Sequence, residues 1–356
     1  MPKRKQGEVD NQGVQDFELI ELLIRETAGV SQPGPSTSAP KGSDFESFQA
    51  RFQSYIDQIP SYLHSVGKEG FFPHFFLGSF STLIDTEIAT KLNIEKIYFS
   101  FDGARTLKVA VIKKGEIKSP EDAADKVKLF VIAESGSKNK EFSHGELEEI
   151  LSQMNAPGKT QYVSNAKSEL EVKLVEISKN ADNEMTVEIK NKKLDKNDKR
   201  LQFTEIKKEK WNKPENDIAK LTNSDKKEVE KSLDKVLKKV SKIHSEYKGS
   251  LIYADKAREA AHHGFMAGAL VNFRYRHNLR VYLEQFAGRG YADIVLVPRG
   301  KDRSLNAIPI IIELKAATKE ELKEGKIGEK SRTTPTAALK QAEDYTKGFQ
   351  PNVMRV

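Results

Sequence analysis

The chain contains no cysteine among its 356 residues. This absence excludes disulfide bonds, zinc sites built from thiolates and any thiol nucleophile, so cysteine-protease activity is ruled out. Long apolar runs are also missing, and the N-terminus lacks the apolar segment of a secretion signal. We therefore expect no membrane span and no membrane partner. A cytoplasmic location is the one that this composition favours, which leaves delivery into another cell open.

The chain also lacks the motifs of several large enzyme classes. It has no Gly-x-x-x-x-Gly-Lys-Ser/Thr loop, no Gly-x-Gly-x-x-Gly after a strand and no nucleophile elbow. These absences argue against P-loop hydrolases, dinucleotide-binding enzymes and serine hydrolases of the α/β type. The length is sufficient for two domains with separate cores.

Composition divides the chain into segments. Residues 1–42 combine a polar start, a short amphipathic stretch with Ile20, Leu23 and Ile24 at helical spacing, and a flexible Pro/Ser/Gly-rich linker. Residues 211–249 form a lysine-rich connector in which an amphipathic helix is expected. Two interpretations of its lysines stay open: an ordinary solvated helix face, or a surface that follows the phosphates of a nucleic acid.

Three charged residues stand at the ends of two strongly apolar runs near the C-terminus. Asp293 lies in residues 290–297, which are typical of a turn followed by a buried strand, and Glu313 and Lys315 end the apolar run 308–315. The polar residues 299–306 between them suit a hairpin turn. Neighbouring strands would bring these two carboxylates and the ammonium group together.

This combination fits metal-assisted cleavage of a phosphodiester. Mg²⁺ takes oxygen ligands and keeps several waters, so one or two carboxylates can hold it beside a substrate phosphate. Lys315 lies two residues after Glu313 and therefore projects from the same face of the strand. There it would orient the attacking water or neutralise developing charge.

The Glu-x-Lys spacing alone carries little information. The same spacing occurs at Glu116/Lys118, Glu171/Lys173, Glu188/Lys190 and Glu205/Lys207. Those pairs lie in polar, alternating stretches typical of solvated strand faces. Only the pair at 313 and 315 follows a buried type of run with an aspartate-bearing strand just upstream.

With these residues in place, the chain resembles the PD-(D/E)XK nuclease superfamily, whose core has the order α-β-β-β-α-β. The resemblance implies a restriction-endonuclease-like α/β fold and a site of Asp293, Glu313 and Lys315. It also implies Glu259, in the preceding helix, as a further metal ligand. Gln341 and Tyr345 match a Gln-x-x-x-Tyr helix of several nuclease branches. The resemblance places Gln341 in the catalytic site. It implies Arg289 and Tyr345 as nucleic-acid contacts.

A narrower resemblance is to the B-type cytoplasmic-incompatibility factors of intracellular bacterial endosymbionts. It covers residues 263–276, 287–293 and 341–356. This resemblance implies a toxin or effector with tandem nuclease modules, a Mg²⁺ or Mn²⁺ cofactor, DNA rather than RNA as the favoured substrate, and a cognate antidote protein as partner. It also implies a protein made in the bacterial cytoplasm that is delivered into a host cell. The last core strand is expected near residues 352–356, so we expect the module to be truncated. The alternative is a catalytically inactive nuclease fold that binds an antidote or host protein.

The chain also aligns with itself. Residues 101–112 can be laid over 286–297 without a gap, and residues 75–80 over 264–269. Lys108 then takes the place of Asp293, and Glu134 that of Glu313. We therefore expect a degenerate nuclease module at 43–210 and a second module at 250–356, with chance similarity of two hairpins as the alternative.

Adjacent histidines precede the second hairpin, and only one of them can face a site from a helix. His263 lies one turn after Glu259 and is the expected neighbour of any metal, whereas a structural role is the commoner fate of such a residue. We therefore assign neither His262 nor His263 a catalytic role.

Overall fold

The computed structural model describes residues 19–26, 47–57, 69–154, 163, 170–182, 184–207, 214–222, 225–247, 258–271, 279–286, 291–298 and 309–314. Four helices come first: α1 (Leu19–Glu26), α2 (Phe48–Ile56), α3 (Phe71–Leu83) and α4 (Glu87–Lys91). The amphipathic stretch of the N-terminal segment forms α1, whose Ile20, Leu23 and Ile24 are buried. Every side chain of α3 is buried, as expected of a helix that is apolar all round.

The first sheet contains β1 (Ile94–Phe101), β2 (Thr106–Lys113), β3 (Val127–Glu134), β4 (Glu171–Lys179), β5 (Met185–Lys193) and β6 (Thr204–Glu205). Their order across the sheet is β5-β4-β3-β2-β1-β6. Strands β1, β2 and β3 are antiparallel neighbours, whereas β3 and β4 run parallel. Two further helices join these strands, α5 (Pro120–Lys126) and α6 (His144–Gln153). A parallel pair needs a crossover connection, and α6 lies in it.

The first sheet is covered on both faces. Val109 and Val111 belong to the core cluster that contains α3, whereas Ala110 and Ile112 belong to the cluster that contains α6. This alternation follows from the two-residue period of a strand. It explains why β2 and β3 are almost continuously apolar, as strands buried on both sides are.

The connector forms two helices, α7 (Pro214–Ala219) and α8 (Lys226–Glu246). Val229, Val236, Val240 and Ile243 bury one face of α8. Lysines on the other face pair with acids one turn away, as in Lys238–Asp234 at 2.8 Å. The expected amphipathic helix is therefore present, with the solvated charge pattern of an ordinary surface.

The second sheet belongs to the C-terminal part. Helix α9 (Arg258–Val271) is followed by β7 (Leu279–Phe286), β8 (Tyr291–Pro298) and β9 (Ile310–Ile312), which form an antiparallel sheet in that order. Strands β7 and β8 begin and end 185 positions after β1 and β2, so the two hairpins have equal strand lengths and equal turn lengths.

Helices α3 and α9 pack side by side and run in the same direction. Phe71 meets Gly264, and Phe75 meets Gly268 one turn later. An added Cβ at Gly264 would lie 2.2 Å from the Phe71 carbonyl oxygen, and one at Gly268 would lie 1.8 Å from that of Phe75. Backbones this close tolerate only glycine. A single core cluster runs from the first sheet through both helices to the second sheet.

The predicted α/β class is confirmed, with a mixed six-stranded sheet and helices on both of its faces. Within the described part of the chain, no helix combines the length and the apolar composition that crossing a bilayer requires.

Candidate metal site at the second sheet

Asp293 is the third residue of β8, and it is 8% exposed. Its Oδ2 accepts a hydrogen bond of 2.7 Å from the backbone N–H of Leu314. A carboxylate so deeply placed needs donors or cations around it. The bond ties the residues after β9 to the first turn-side residues of β8.

Glu313 directly follows β9. Ile294 pairs with Ile312 across the antiparallel strands, so continuing that register by one residue sets Glu313 opposite Asp293. Opposite residues in such a pair have Cβ atoms about 4.5–5.5 Å apart. The pairing of β8 with β9 ends one residue before this position, and a continued register would make the two predicted carboxylates neighbours. Lys315, the next predicted residue, lies outside the described residues, as do Arg289, Gln341 and Tyr345.

His263 of α9 reaches the same place from the helix side and is 1% exposed. Its Nε2 lies 2.8 Å from the backbone carbonyl oxygen of Asp293. Because a carbonyl oxygen only accepts, Nε2 must carry a proton. Nδ1, the other ring nitrogen, lies 3.6 Å from Oε1 of Glu284.

Glu284 is the residue that the sequence did not point out. It lies in β7 between the paired residues Leu283 and Gln285, whose partners Ile294 and Ala292 flank Asp293. Glu284 therefore stands opposite Asp293, and it is 5% exposed. Its φ is +50°, a conformation that side chains other than glycine, asparagine and aspartate seldom adopt. The sequence did offer one signal for Glu284: it is a charged residue within a strand whose Val281 and Leu283 belong to the core.

His263, Glu284 and Asp293 form a cluster in which one potential ligand atom of each residue lies within 4.8 Å of the others. We call it the His263–Glu284–Asp293 cluster. Among the described residues, this cluster alone brings three or more potential ligand atoms so close together. Glu313 and Glu259 are not part of it. Glu259 is half-buried in the first turn of α9, one turn before His263. Both remain predicted ligands.

The position of Asp293 has a counterpart in the first sheet, 185 residues earlier, at Lys108. The ammonium group of Lys108 is 2% exposed and lies 2.8 Å from Oε1 of Glu146 and 3.3 Å from Oδ2 of Asp102. Glu146, fully buried, also closes the capping box of α6 with Ser143. A fixed cation therefore stands between carboxylates at the place that the alignment predicted to have lost a metal ligand.

The alignment of Glu134 with Glu313 does not agree with the strand pairing. Lys108 pairs with Val131. Val131 is therefore the first-sheet residue that corresponds to Glu313, which is expected opposite Asp293. Glu134 instead accepts hydrogen bonds of 2.8 and 2.9 Å from the N–H groups of Gly70 and Phe72 at the start of α3. Burial outweighs these bonds and raises the pKa of Glu134 to about 7.

His262, the other adjacent histidine, is exposed and faces away from the cluster. Its Nδ1 lies 2.9 Å from Nδ1 of His244 on α8. Burial, together with the nearby His262 and His74, lowers the pKa of His244 to about 2. His262 and His263 therefore belong to different surroundings, and the expectation that only one of them faces the site agrees with the geometry.

Comparison with known proteins adds no assignment: no family model matches the chain, and no curated protein matches it significantly. The resemblance to nucleases therefore remains a prediction from the sequence.

Proposed function

We propose that the chain is a metal-dependent nuclease that hydrolyses phosphodiester bonds, with DNA as the favoured substrate, and that it acts as a toxin or effector of the cytoplasmic-incompatibility type. The observation that carries this proposal is the hydrogen bond from the Leu314 N–H to Oδ2 of Asp293. It holds the segment bearing Glu313 beside Asp293, at the end of a buried sheet. Lys315 follows in sequence and completes the set of residue types.

The order of elements supports the same proposal. From α3 to β4 the chain runs helix, three antiparallel strands, helix and parallel strand, with the short helices α4 and α5 inserted before β1 and before β3. With those two insertions set aside, this is the order of the PD-(D/E)XK core. From α9 to β9 it repeats the first four of these elements. The 185-residue offset of both hairpins favours tandem modules over chance similarity. Lys108 in place of Asp293 supports a degenerate first module, since an ammonium group repels a divalent cation.

The residues present fit a divalent metal. Asp293 and Glu313 offer carboxylate oxygens, and Oε2 of Glu313 is buried on a residue that is itself half-buried. Bound there, Mg²⁺ or Mn²⁺ supplies Lewis acidity and lowers the pKa of a bound water. Asp293 and Glu313 would hold the cation, and the Lys315 ammonium group would neutralise charge on the phosphate.

A second candidate function is an inactive nuclease fold that binds an antidote or host protein. The Lys108–Glu146–Asp102 arrangement favours it for the first sheet, because this part of the chain keeps a fold with no vacancy for a metal among those three groups. In that case the first sheet would serve as a scaffold for a protein partner, whichever activity the second sheet has.

Plasmid cleavage tests the proposal. Purified full-length protein is incubated with supercoiled plasmid and Mg²⁺ or Mn²⁺, beside an Asp293→Asn/Glu313→Gln variant and an EDTA control. The matched control is Glu188→Gln, which alters a Glu-x-Lys pair of the same spacing on an exposed strand. We expect metal-dependent nicking by the wild type and Glu188→Gln, and a loss of at least about a hundredfold in the double variant.

Two results would contradict the proposal. The first is a folded wild-type protein that cleaves neither DNA nor RNA with either metal, which would favour the binding function. The second is nicking that survives in the double variant, which would assign the activity to a contaminant or another site. Circular dichroism of each variant confirms that the fold is retained.

A further inference from the structure

The His263–Glu284–Asp293 cluster draws its three groups from three different elements. His263 comes from α9, Glu284 from β7 and Asp293 from β8. Their exposures of 1%, 5% and 8% place all three inside the protein. Three groups that are each costly to bury, gathered at one point, are typical of a site whose ligand stabilises them.

The protonation of His263 suits a ligand role. Its Nε2–H donates to the Asp293 carbonyl at 2.8 Å, which leaves Nδ1 as the nitrogen that binds a cation. Histidines that ligate metals usually donate their other N–H to a backbone carbonyl or a carboxylate, and this bond fixes the tautomer and the ring orientation. The ring is also held edge-on against Phe71, with centroids 5.2 Å apart.

The distances suit a metal ion. Bonds of about 2.1 Å to nitrogen and oxygen would separate neighbouring ligand atoms by about 3.0–3.4 Å and opposite ones by about 4.2 Å. Nδ1 and the nearer Glu284 oxygen are 3.6 Å apart, and all three ligand atoms lie within 4.8 Å. The His263–Glu284 pair would therefore need a shift of a few tenths of an ångström to bind one ion, and the pairs that involve Asp293 would need at most about 1–2 Å.

The ligand types select among metals. Mg²⁺ prefers oxygen ligands alone, whereas imidazole suits first-row transition metals. Two carboxylates beside one imidazole match Mn²⁺ and its neighbours, and three protein ligands leave coordination positions open for water or a phosphate oxygen.

We propose that His263, Glu284 and Asp293 bind a divalent first-row transition metal ion, with Mn²⁺ preferred over Mg²⁺. The site shares Asp293 with the proposed nuclease function and deepens it by adding a nitrogen ligand and Glu284. Metal binding is measured without substrate, so the two proposals can fail separately.

The first measurement needs no variant. Full-length protein freed of metal by a chelator is titrated with MnCl₂, and free Mn²⁺ is followed by electron paramagnetic resonance. We expect one tight site, and pulsed spectra of the bound ion with a ¹⁴N coupling from imidazole. Binding without nitrogen coupling, or no binding, overturns the proposal.

The variants test each ligand. His263→Gln keeps a side-chain N–H for the Asp293 carbonyl but removes Nδ1, and Glu284→Gln removes the carboxylate charge. The matched control is His262→Gln, the same substitution at the adjacent residue, which faces His244. We expect Mn²⁺ affinity to fall at least tenfold in the first two and to stay unchanged in the control. Unchanged affinity in His263→Gln and Glu284→Gln, with folding retained, would refute the assignment.

The combined results separate the two proposals. Mn²⁺ binding with nitrogen coupling but no nicking supports this site and contradicts the nuclease function. Mg²⁺-dependent nicking that persists in His263→Gln, with no nitrogen coupling in the wild type, supports the nuclease function and contradicts this metal site.

Discussion

The Ser79 hydroxyl lies 2.9 Å from the carbonyl oxygen of Gly268, across the contact between α3 and α9. The internal alignment makes these two residues equivalent, and they meet each other. A second hydroxyl crosses the same contact, since Thr82 Oγ1 lies 3.3 Å from the carbonyl oxygen of Ala269. Matching positions of two parallel helices therefore pack together, and small residues make the approach possible.

Gly268→Ala should destabilise the protein. The new Cβ would lie 1.8 Å from the Phe75 carbonyl oxygen, so the helices must separate, at a cost of about 1–3 kcal/mol or more. In an unhindered helix interior the same substitution stabilises by about 1 kcal/mol. Urea unfolding measures the difference. Ser241→Ala on the exposed face of α8 serves as control, and a stabilising effect of Gly268→Ala would show that the helices are not in contact.

Lys108→Met should cost about 3–5 kcal/mol, because it leaves the buried carboxylate of Glu146 without its nearest cation. Adding Glu146→Gln removes that charge while keeping an acceptor for the Ser143 N–H of the capping box. The double variant should therefore recover at least half of the loss. Chemical denaturation of the two variants checks this, and equal losses in both would mean that packing, rather than charge, dominates.

Glu134 should make stability depend on pH. Its folded pKa of about 7 lies above the ordinary 4.5, so the folded protein binds the proton more tightly. The contribution is fully present below pH 4.5 and is lost as the pH rises through 7, a change of about 3 kcal/mol. Glu134→Gln should remove this fall, as measured by urea unfolding at several pH values.

His244 provides the control for that experiment, because its pKa is lowered to about 2 and its effect has the opposite sign. Its contribution is present above pH 6.5 and is lost as the pH falls below it. His244→Phe keeps a ring to stack on Phe265 and should expose the Glu134 dependence more clearly. A pH profile unchanged in both variants would contradict both assignments.

Glu284→Gly should be more stable than Glu284→Ala. Both remove the side chain, but only alanine keeps the cost of a φ of +50°, about 1–2 kcal/mol. Glu188 in β5 gives the matched pair, and there glycine should be less stable than alanine by about 0.5–1 kcal/mol. Thermal unfolding of the four variants decides the matter. The same order at both positions would argue against a left-handed conformation at 284.

Local patterns predicted the parts of the structure that depend on local sequence. The apolar runs around Asp293 and before Glu313 became neighbouring strands. The 185-residue offset of the gapless overlay is also the offset between the two hairpins. Glu284 was not predicted, because a charge within an apolar strand is a weak signal and the positive φ that accompanies its burial cannot be read from the sequence. The ion pair of Glu146 with Lys108 was not predicted either, because it forms only when α6 packs on the sheet.

The close contact of α3 with α9 also bears on how the chain is made. The two contacting residues Ser79 and Gly268 are 189 positions apart, which a ribosome covers in about 10–40 s. During that interval the face of α3 that packs on α9 is uncovered, although α2 and the first sheet can already pack on the rest of the helix. Nascent chains with such exposed surface aggregate or bind chaperones, so synthesis of the first half should depend on chaperone supply until α9 emerges and docks.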